Sequence, residues 1–404
     1  MMKTLALRPL DTLFFRDNRP FNQDDAGLAD ARSMFPPFPT VLAGAVRASI
    51  ARANGWDGSK STFTSHRALI GNGPFAECGS LRFSPPVLLK QSNDDASDFF
   101  EANFPCPLAL LLRTSAAERG KLKFEEAHVL RPGDPSFACD LGGDACFPTL
   151  PPEDDASRFK LHREAWISRE GLRQLLTLGR LDNPAGHVTC HDSIVSAQPR
   201  VGLRRDYAAH KAATGELYSA VHQRLKRNYA LGVSYRWQDA NRKDILPETE
   251  SVFPLGSQHR AVSCSDAQRI DLTDILPGAE CFCESDGYFH YLVVLLSPAD
   301  LKHNDSVPEL HPLPGELVSA CTDRPLRFGG WDAVAGDRGE TRLYHRAGTT
   351  FFMRVAVKKI SDAGTLYEKL KDAQQAGLGD KRTTQIGCGA FAVGIWKPGG
   401  YGDG

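Results

Sequence analysis

The sequence predicts an α+β fold, with strands and helices that do not form a long series of βαβ units. A strand-like alternation in residues 1–10 is followed by a proline-rich break and an amphipathic helical pattern. Later, a continuous apolar run at 288–296 indicates a buried strand, and residues 349–358 alternate with the period of a strand. A helical pattern at 362–376 and a glycine-rich turn then precede a last apolar strand at 390–396. We therefore expect strands plaited with packed helices rather than a doubly wound sheet.

The first helix is predicted directly after the proline-dense segment 35–39, where the prolines fix φ and remove backbone donors. Thr40 is a candidate cap, and Val46 and Ile50 lie on the apolar stripe of the helix. Arg47 lies off that stripe in the predicted pattern. We therefore expect its side chain to face away from the core.

The middle of the chain has less regular patterning. Residues 91–101 look like an exposed acidic loop, and the tract 131–157 is rich in glycine, proline and aspartate, which also predicts a loop. Between these loops and the basic segment described below, Ser168 is expected to cap a short helix with leucines on one side in 172–176. Gly179 is expected to end it.

Length and composition indicate a globular protein of two domains, because 404 residues exceed one ordinary domain. We place the boundary near residue 195. No apolar run approaches the length that a membrane span needs, and the N-terminus lacks the features of a signal peptide. The ten cysteines include no CxxC pair, so we expect reduced thiols and a cytoplasmic protein that does not bind to membranes.

Charge is balanced overall but concentrated locally. The chain has 48 Lys and Arg against 49 Asp and Glu, whereas the basic segment, residues 200–236, has a net charge of +6 and several interleaved tyrosines. Cationic groups neutralise phosphates and aromatic rings stack on unpaired bases, so this mixture is typical of single-stranded RNA binding. A solvated helix face with buried tyrosine rings explains the spacing equally well. The candidate RNA-binding residues of the segment are Arg200, Arg204, Arg205, Lys211, Arg224, Lys226 and Arg227.

Two further segments are candidate anion contacts. Arg16, Arg19 and Phe21 lie in one loop between the first strand and the first helix, where they could clasp an anion or form a salt-bridged loop. Gly387 and Gly389 flank a turn that could present backbone N–H groups to a phosphate. A tight turn between a helix and a strand is the commoner explanation of such glycines.

The motifs of several enzyme classes are absent, among them the phosphate-binding GxxxxGK[ST], the nucleophile motif GxSxG and the zinc motif HExxH. His187, Cys190, His191 and Asp192 could form half of a metal site, but the sequence shows no obvious second half. A polar loop with a buried cysteine is the favoured interpretation. We therefore expect no cofactor and no metal.

Taken together and in order, these segments resemble a known family. The opening, PLDTLFFRDNRPF followed by FPPFPTVLAGAVR, resembles that of the third Cmr subunit of type III-B CRISPR effector complexes. The C-terminal segment IGCGAFAVGIW resembles the glycine-rich loop of the wider RAMP superfamily. Further similar segments follow in the family's order at 198–202, 216–219, 253–256, 329–332 and 346–349. One departure is Ser257, which stands where the family pattern has a second glycine.

The resemblance implies two ferredoxin-like (RRM-like) domains, here 1–195 and 196–404, with long loop insertions and no catalytic activity. It also implies a role in capping the guide crRNA at its 5′ repeat-derived tag. The implied protein partners are the large polymerase-type subunit (Cas10, or Cmr2, type) and the first backbone subunit (Cmr4 type). The positions that it marks as RNA-facing are Arg16, Arg19, Phe21, Arg47, the basic segment, Gly387 and Gly389.

Two catalytic alternatives remain open at this point. The first is a Cas6-like, metal-independent endoribonuclease, in which His210, His222 or His259 would act as a general base. The second is a metal-dependent hydrolase built on the segment 187–192, which has less support.

Overall fold

The computed structural model describes residues 2–16, 30–71, 79–91, 99–116, 122–134, 145–150, 158–206, 210–237, 248–258, 260–304, 307–332 and 336–398. The chain divides into two compact units. The first comprises Met1–Phe100, Asp192–Arg269 and Arg327–Arg342, and the second Glu101–His191, Ile270–Leu326 and Leu343–Gly404. Each unit is therefore assembled from three stretches of chain rather than from one contiguous half.

Strands dominate the described residues. The first fourteen are β1 Met2–Pro9, β2 Asp30–Arg32, β3 Leu81–Phe83, β4 Val87–Gln91, β5 Phe100–Pro105, β6 Leu110–Ala116, β7 Leu122–Val129, β8 Arg131–Pro132, β9 Pro148–Thr149, β10 Lys160–Leu161, β11 Trp166–Ser168, β12 Val188–Thr189, β13 Val195–Asp206 and β14 Lys211–Leu225. The others are β15 Tyr229–Trp237, β16 Val252–Pro254, β17 Ala261–Ala267, β18 Glu284–Ser285, β19 Tyr288–Leu295, β20 His303–Asn304, β21 Val307–Pro308, β22 Glu316–Cys321, β23 Leu326–Phe328, β24 Trp331–Asp332, β25 Asp337–Arg338, β26 Arg342–Tyr344, β27 Thr350–Ala356 and β28 Phe391–Ile395.

The α-helices are fewer and mostly short. They are α1 Pro39–Ala53, α2 Lys60–Phe63, α3 Arg67–Ile70, α4 Arg169–Leu178, α5 Pro184–His187, α6 Ala363–Ala376 and α7 Lys381–Thr384. Among the described residues, none of these helices is long and apolar enough to cross a membrane. The predicted α+β class is confirmed.

In the first unit, β1 lies at the centre of an antiparallel sheet with the order β4–β15–β1–β17–β16, the N-terminal sheet. Leu5 and Leu7 of β1 are fully buried, and so is Ala6 on the opposite face of the strand. Counted along the chain, β1, β4, β15 and β17 are strands one to four, and they stand in the order 4-1-3-2. Strands from both sides of residue 195 share this sheet, so a domain boundary at that position would divide it.

The basic segment forms part of a long β-hairpin, not a helix face. β13 and β14 pair antiparallel over most of their length, with β2 parallel to β14 on its other side. Leu13 also pairs with Gln223 of β14, since each backbone N–H donates to the other residue's carbonyl at 2.7 and 2.9 Å. The hairpin is thereby joined along one side to the chain that follows β1.

The second unit contains the C-terminal sheet, in which β19 pairs with both β27 and β28, and β22 pairs with β27. Counted along the chain, β19, β22, β27 and β28 also stand in the order 4-1-3-2, and all of these pairs are antiparallel. Leu366, Leu370 and Ala373 of α6 belong to the apolar core on one face of this sheet, with Phe351 and Val293. Burial of these residues is the main stabilising contribution of this layer.

The strongest sequence patterns gave correct elements. The predicted strands at 288–296 and 349–358 correspond to β19 and β27, and the predicted helix at 362–376 corresponds to α6. Ser168 caps α4 by accepting a hydrogen bond from the Gly171 N–H at 3.1 Å, and Gly179 ends the helix with φ of 66°. The predicted cap at Thr40 is wrong. Helix α1 begins at Pro39, with Phe38 as its N-cap residue and no side-chain cap, because a proline at the first helical position needs no hydrogen-bond acceptor there.

The second unit also contains the antiparallel strands β5, β11 and β12 and the smaller sheet β10–β6–β7. Residues 92–98 of the predicted acidic loop lie outside the described residues, and β5 begins at Phe100. The predicted loop 131–157 is wrong in part, because β8 and β9 pair with each other within it. The high proline and glycine content of this segment predicted a loop, although two short strands pair within it.

Candidate functional site

Four charged side chains of the first unit meet where β1 ends. Asp11 lies two residues after β1, Arg200 lies on β13, Arg224 on β14 and Arg260 just before β17. Arg200 Nη2 donates to Asp11 Oδ2 at 2.8 Å, Arg224 Nη2 donates to Asp11 Oδ1 at 2.6 Å, and Arg260 Nη1 donates to Asp11 Oδ2 at 3.1 Å. We call this group the arginine cluster.

The strand register explains why two of these arginines converge. Gln198 pairs with His222, while Arg200 pairs with Ala220 and Ser196 pairs with Arg224, so all of these residues share one face of the hairpin. Arg200 and Arg224 therefore lie diagonally on either side of the Gln198–His222 pair. The Asp11 carboxylate bridges them, and Arg224 Nη2 also donates to Gln198 Oε1 at 3.2 Å.

The cluster has a net charge of +2, since three guanidinium groups surround one carboxylate. The hydrogen bond from Arg200 is the largest cause that lowers the pKa of Asp11, with a further contribution from Arg224, and the pKa falls to about 2. Asp11 is 44% exposed, and the side chains of Arg200, Arg224 and Arg260 are 35%, 46% and 21% exposed. A solvent-borne anion can therefore reach guanidinium groups that one carboxylate does not neutralise.

A tight loop holds Arg260 in place. Gly256 has φ of +79°, and a Cβ at this position would lie 2.7 Å from the Phe14 carbonyl oxygen. The Ser257 N–H donates to that same oxygen at 2.9 Å, and the Leu255 N–H donates to the Arg260 carbonyl at 2.6 Å. Only Gly256 of the Gly-Ser pair has a positive φ, which explains why serine is tolerated at 257.

His222 lies beneath the cluster and is 1% exposed. Its Nδ1 is 3.0 Å from Thr12 Oγ1, and its ring stacks on Phe14 with a centroid separation of 4.8 Å. Burial lowers the pKa of His222, and the positive charges of Arg260 and Arg200 lower it further. Both effects favour the neutral form of the ring.

The other predicted residues of the basic segment are distributed along the hairpin and the turn that follows it. Arg204 and Arg205 lie on β13 and Lys211 lies at the start of β14, with a register shift between Leu203 and Arg205. Lys226 Nζ donates to the Asp192 carbonyl at 2.7 Å. Arg227 is exposed in the turn between β14 and β15.

The N-terminal loop candidates are described only in part. Arg16 is exposed, and it forms a β-bridge with Ser33. Arg19 and Phe21 lie outside the described residues.

Arg47 is not on the outer face of α1, and that prediction is wrong. Its side chain is 6% exposed, and its Nε donates to the Ile70 carbonyl at the end of α3. The apolar stripe of α1 is wider than the sequence pattern suggested, because α3 covers this side of the helix as well. Arg47 therefore has a structural role in joining α1 to α3.

Gly387 and Gly389 do not present free backbone donors, so that prediction is also wrong. Both have positive φ, of 90° and 67°, and both are buried. The Gly387 N–H donates to the Thr384 carbonyl at 3.2 Å, and the Gly389 N–H donates to the Pro298 carbonyl at 2.8 Å. A Cβ at Gly389 would overlap with the Leu378 carbonyl, so this is a tight structural turn.

The proposed half-site for a metal does not gain further ligands. His187 Nδ1 is 3.1 Å from Ser168 Oγ, the hydroxyl that caps α4. Across the residues that the structure describes, no group of three His, Cys, Asp or Glu side chains is arranged to hold a metal ion.

Two members of the cluster, Asp11 and Arg260, are not predicted by the sequence pattern. Asp11 lies in the N-terminal segment that resembles the family, but an isolated aspartate carries no pattern of its own. Arg260 lies after the basic segment and has no Lys or Arg within several residues. Its contribution depends on the conformation of the loop 255–260, which sequence spacing does not reveal.

The fold and the cluster define a strand-rich α+β protein with a solvent-accessible guanidinium site, a class that can bind anions. The chain belongs to the family of CRISPR-associated proteins Cas_Cmr3, whose family profile matches residues 5–396. This match confirms the resemblance to the third Cmr subunit of type III-B CRISPR effector complexes. No curated protein matches the chain.

Several solved structures are similar to the chain at low identity. A chain of type III-B Cmr-beta bound to cognate target RNA is 14% identical with a TM-score of 0.47, and the match covers 97% of this chain and 99% of that one. A second Cmr-beta structure, bound to cognate target RNA and AMPPnP, is 13% identical with a TM-score of 0.45, covering 96% and 99%. A chain of a Csm1–Csm4 cassette in complex with pppApA is 12% identical with a TM-score of 0.32, covering 87% and 86%.

Proposed function

We propose that this chain is a non-catalytic RNA-binding subunit of a type III-B CRISPR effector complex that caps and holds the 5′ repeat-derived tag of the guide crRNA. The observation that carries the proposal is the arginine cluster, with its net charge of +2 and its exposure to solvent. A phosphodiester has one negative charge and oxygen acceptors that match the planar guanidinium fork. In this proposal the cluster binds one RNA phosphate, and Asp11 keeps the three arginine side chains in position.

We also propose that the N-terminal and C-terminal sheets are the cores of two ferredoxin-like domains. The order 4-1-3-2 in both sheets supports this, because it is the strand order of a βαββαβ plait. The N-terminal sheet has its helix, α1, after strand one, and the C-terminal sheet has its helix, α6, after strand three. The first of these domains would then extend to the end of β17 rather than to residue 195.

In the N-terminal sheet, RNA contact is proposed at the hairpin and loops, not on the sheet surface. RRM-type sheets stack bases on exposed aromatic rings of their central strands. Here one face of the central strands carries Thr4, Ala6, Gly232 and Ser234, all buried and none aromatic. The arginine cluster, at the end of β1, is an accessible cationic feature outside the sheet surface.

The proposed partners follow from membership of the family. They are the guide crRNA, the large Cas10 (Cmr2)-type subunit and the Cmr4-type backbone subunit. The complex is proposed to act in the cytoplasm, where guide RNA is available.

Cys106 and Cys321 are deeply buried, and burial raises the pKa of each thiol, which makes these two cysteines unreactive.

The absence of catalysis is part of the proposal. A general base for RNA cleavage must reach the 2′-OH of its substrate. His222 is buried beneath the arginine cluster, His210 is exposed in the hairpin turn, and His259 lies outside the described residues. Incubation of the purified chain with labelled repeat RNA in EDTA tests this point, and we expect no product with a 2′,3′-cyclic end.

A charge-matched pair of variants tests RNA binding at the cluster. The cluster variant changes Arg200, Arg224 and Arg260 to glutamine. The control variant changes three exposed, ion-paired arginines of the second unit to glutamine, namely Arg163, Arg173 and Arg180. Both variants lose three positive charges, so the comparison separates a specific site from bulk charge.

Binding of a 3′-labelled RNA that begins with the tag sequence is measured by fluorescence anisotropy across a salt series. The cluster variant is expected to bind about tenfold more weakly at 0.1 M salt, with a salt slope smaller by about 0.7, the value for one single-strand phosphate. The control is expected to keep the wild-type slope. Equal affinities and slopes for the two variants would refute the assignment of RNA binding to this cluster.

A further inference from the structure

His222 occupies an unusual position for a titratable group. It lies on the cluster-facing side of the hairpin, between Arg200 and Arg224 in the strand register, and it is 1% exposed. Phe14 covers one face of its ring. A core position of this kind would ordinarily hold an apolar side chain, since burial of a polar group costs free energy unless its hydrogen bonds are made.

One ring nitrogen of His222 has a close hydrogen-bond partner. Nδ1 is 3.0 Å from Thr12 Oγ1, whereas Nε2 is buried and no partner among the described residues meets hydrogen-bond geometry, although a hydrogen-bonding contribution from the Gln258 side chain raises the pKa of the ring. The Thr12 hydroxyl can donate to a neutral ring or accept from a protonated one, so this contact is compatible with both states. The ring can therefore gain a proton without losing its anchoring hydrogen bond.

The charged groups that face the ring come from three parts of the first unit. They are Asp11 after β1, Arg200 on the hairpin and Arg260 before β17, and Arg224 joins them through its hydrogen bond to Asp11. After burial, Arg260 and Arg200 are the main causes that lower the pKa of His222, while the Gln258 side chain and Asp11 act in the opposite direction. A phosphate bound to the cluster would bring one negative charge close to the same guanidinium groups and offset their repulsion of a protonated ring.

We propose that His222 takes up a proton when an RNA phosphate occupies the arginine cluster, so that RNA binding at this site becomes tighter as the pH falls from 8 to 5.5. This inference rests on the proposed function. It makes His222 a positioning residue that acts through the arginines and does not itself contact RNA.

The sign follows from linkage. Anion binding raises the pKa of His222 above its lowered value in the free chain, so protons favour the bound state. The affinity gain develops between the two pKa values as the pH falls, and it is constant below both. Each pKa unit by which binding raises the pKa of His222 gives at most about a tenfold gain in affinity, and we expect the affinity to rise between pH 8 and pH 5.5.

The experiment uses the full chain and the 3′-labelled tag RNA at constant ionic strength, with anisotropy at pH 8, 7, 6 and 5.5. His222→Gln keeps a polar side chain near Thr12 and removes the titration. His290→Gln is the matched control, because His290 is also buried with a lowered pKa but packs against Trp396 in the second unit. Calorimetry at pH 6 in two buffers of different ionisation enthalpy counts the protons taken up on binding.

Wild type and His290→Gln are expected to show the affinity gain and proton uptake, and His222→Gln is expected to show neither. Should His222→Gln fail to fold, histidine NMR titration of the wild-type chain decides the matter, since one histidine must titrate at higher pH with RNA than without it. Equal affinity of the wild-type chain at pH 8 and pH 5.5, or proton uptake that persists in His222→Gln, overturns the inference. If the cluster variant binds RNA more weakly than the wild-type chain at pH 8, the proposed function stands whatever the pH dependence. If the cluster variant and the charge-matched control bind RNA equally well at pH 8, the proposed function is refuted.

Discussion

Substitution of Asp11 by asparagine removes the one negative charge that holds the arginine cluster together. Asparagine is nearly isosteric with aspartate, so the substitution leaves three guanidinium groups at short range without a carboxylate. We expect the variant to be less stable than the wild-type chain at neutral pH. We also expect the difference to disappear in acid.

The magnitude follows from the pKa of Asp11. A fall from the ordinary pKa of 3.8 to about 2 corresponds to at most about 2.5 kcal/mol of preferential stabilisation of the charged form. Asp11 is 44% exposed, and pairs that are accessible to water are strongly screened. After this discount we expect Asp11→Asn to lower the free energy of unfolding by about 1 kcal/mol at pH 7 in low salt.

The pH dependence has a definite sign. The folded-state pKa of Asp11 is lowered, so its stabilisation is fully present above the unfolded-state pKa near 3.8. It is lost as the pH falls through that value to about 2. The difference in stability between wild type and Asp11→Asn should therefore be constant above about pH 5 and close to zero near pH 2.

Urea unfolding, followed by tryptophan fluorescence at pH 7, 5 and 2.5, measures this difference. Asp266→Asn is the matched control, since Asp266 is 75% exposed and forms an ion pair with Lys3 at 3.2 Å. The control should lower stability by less than about 0.5 kcal/mol. Equal stability of Asp11→Asn and wild type at pH 7, or an undiminished difference at pH 2.5, would refute this account of the cluster.

Two further predictions concern residues that were predicted to contact RNA but are buried in the structure, Arg47 and Gly389. Arg47→Ala should lower the free energy of unfolding by about 3 kcal/mol, because it leaves a cavity and an unpaired carbonyl at the end of α3. Arg52 is more exposed, so Arg52→Ala should lower the free energy of unfolding by less than about 1 kcal/mol. Urea midpoints measure both changes in stability. The RNA affinity of folded Arg47→Ala should equal that of the wild-type chain, and a tenfold weaker affinity would show that Arg47 contacts RNA. Gly389→Ala should lower the free energy of unfolding by about 3 kcal/mol or more, since its Cβ would overlap with the Leu378 carbonyl in addition to the strain of a positive φ. Gly287 has a similar φ but open space around it, so Gly287→Ala should lower the free energy of unfolding by about 1 kcal/mol. Similar thermal midpoints for the two glycine variants would contradict the structural account of that turn.

Elements with strong periodicity could be predicted because their patterns are local. The continuous apolar run of β19 reflects burial on both of its faces, and β27 is likewise buried on both faces over Thr350–Met353, where its apolar residues still gave a strand-like pattern. Helix α6 has both an apolar stripe and a capping aspartate, Asp362. The short pairing of β8 and β9 has no such pattern, since two-residue strands are too short to show a period. Its existence depends on which segments the rest of the fold brings together.

The site was predicted less completely for a related reason. Arg200 and Arg224 were recognised by local charge density, and both belong to the arginine cluster. Arg47 was misplaced because helical spacing alone does not show that α3 covers a second side of α1. Arg260 was missed because its position depends on a loop with a positive φ at Gly256.

The amino-acid sequence by itself determined the fold class, the family and the presence of a concentrated basic segment, because composition, periodicity and ordered motifs are properties of the chain alone. Only the tertiary structure decided which cations act together. Electrostatic interactions depend on distances between groups, and Asp11 is separated from Arg260 by almost 250 residues of sequence and by 3.1 Å in space. The same dependence on distance brings His222 close to those charges, and burial together with the charges of Arg260 and Arg200 lowers its pKa, which no sequence pattern could indicate.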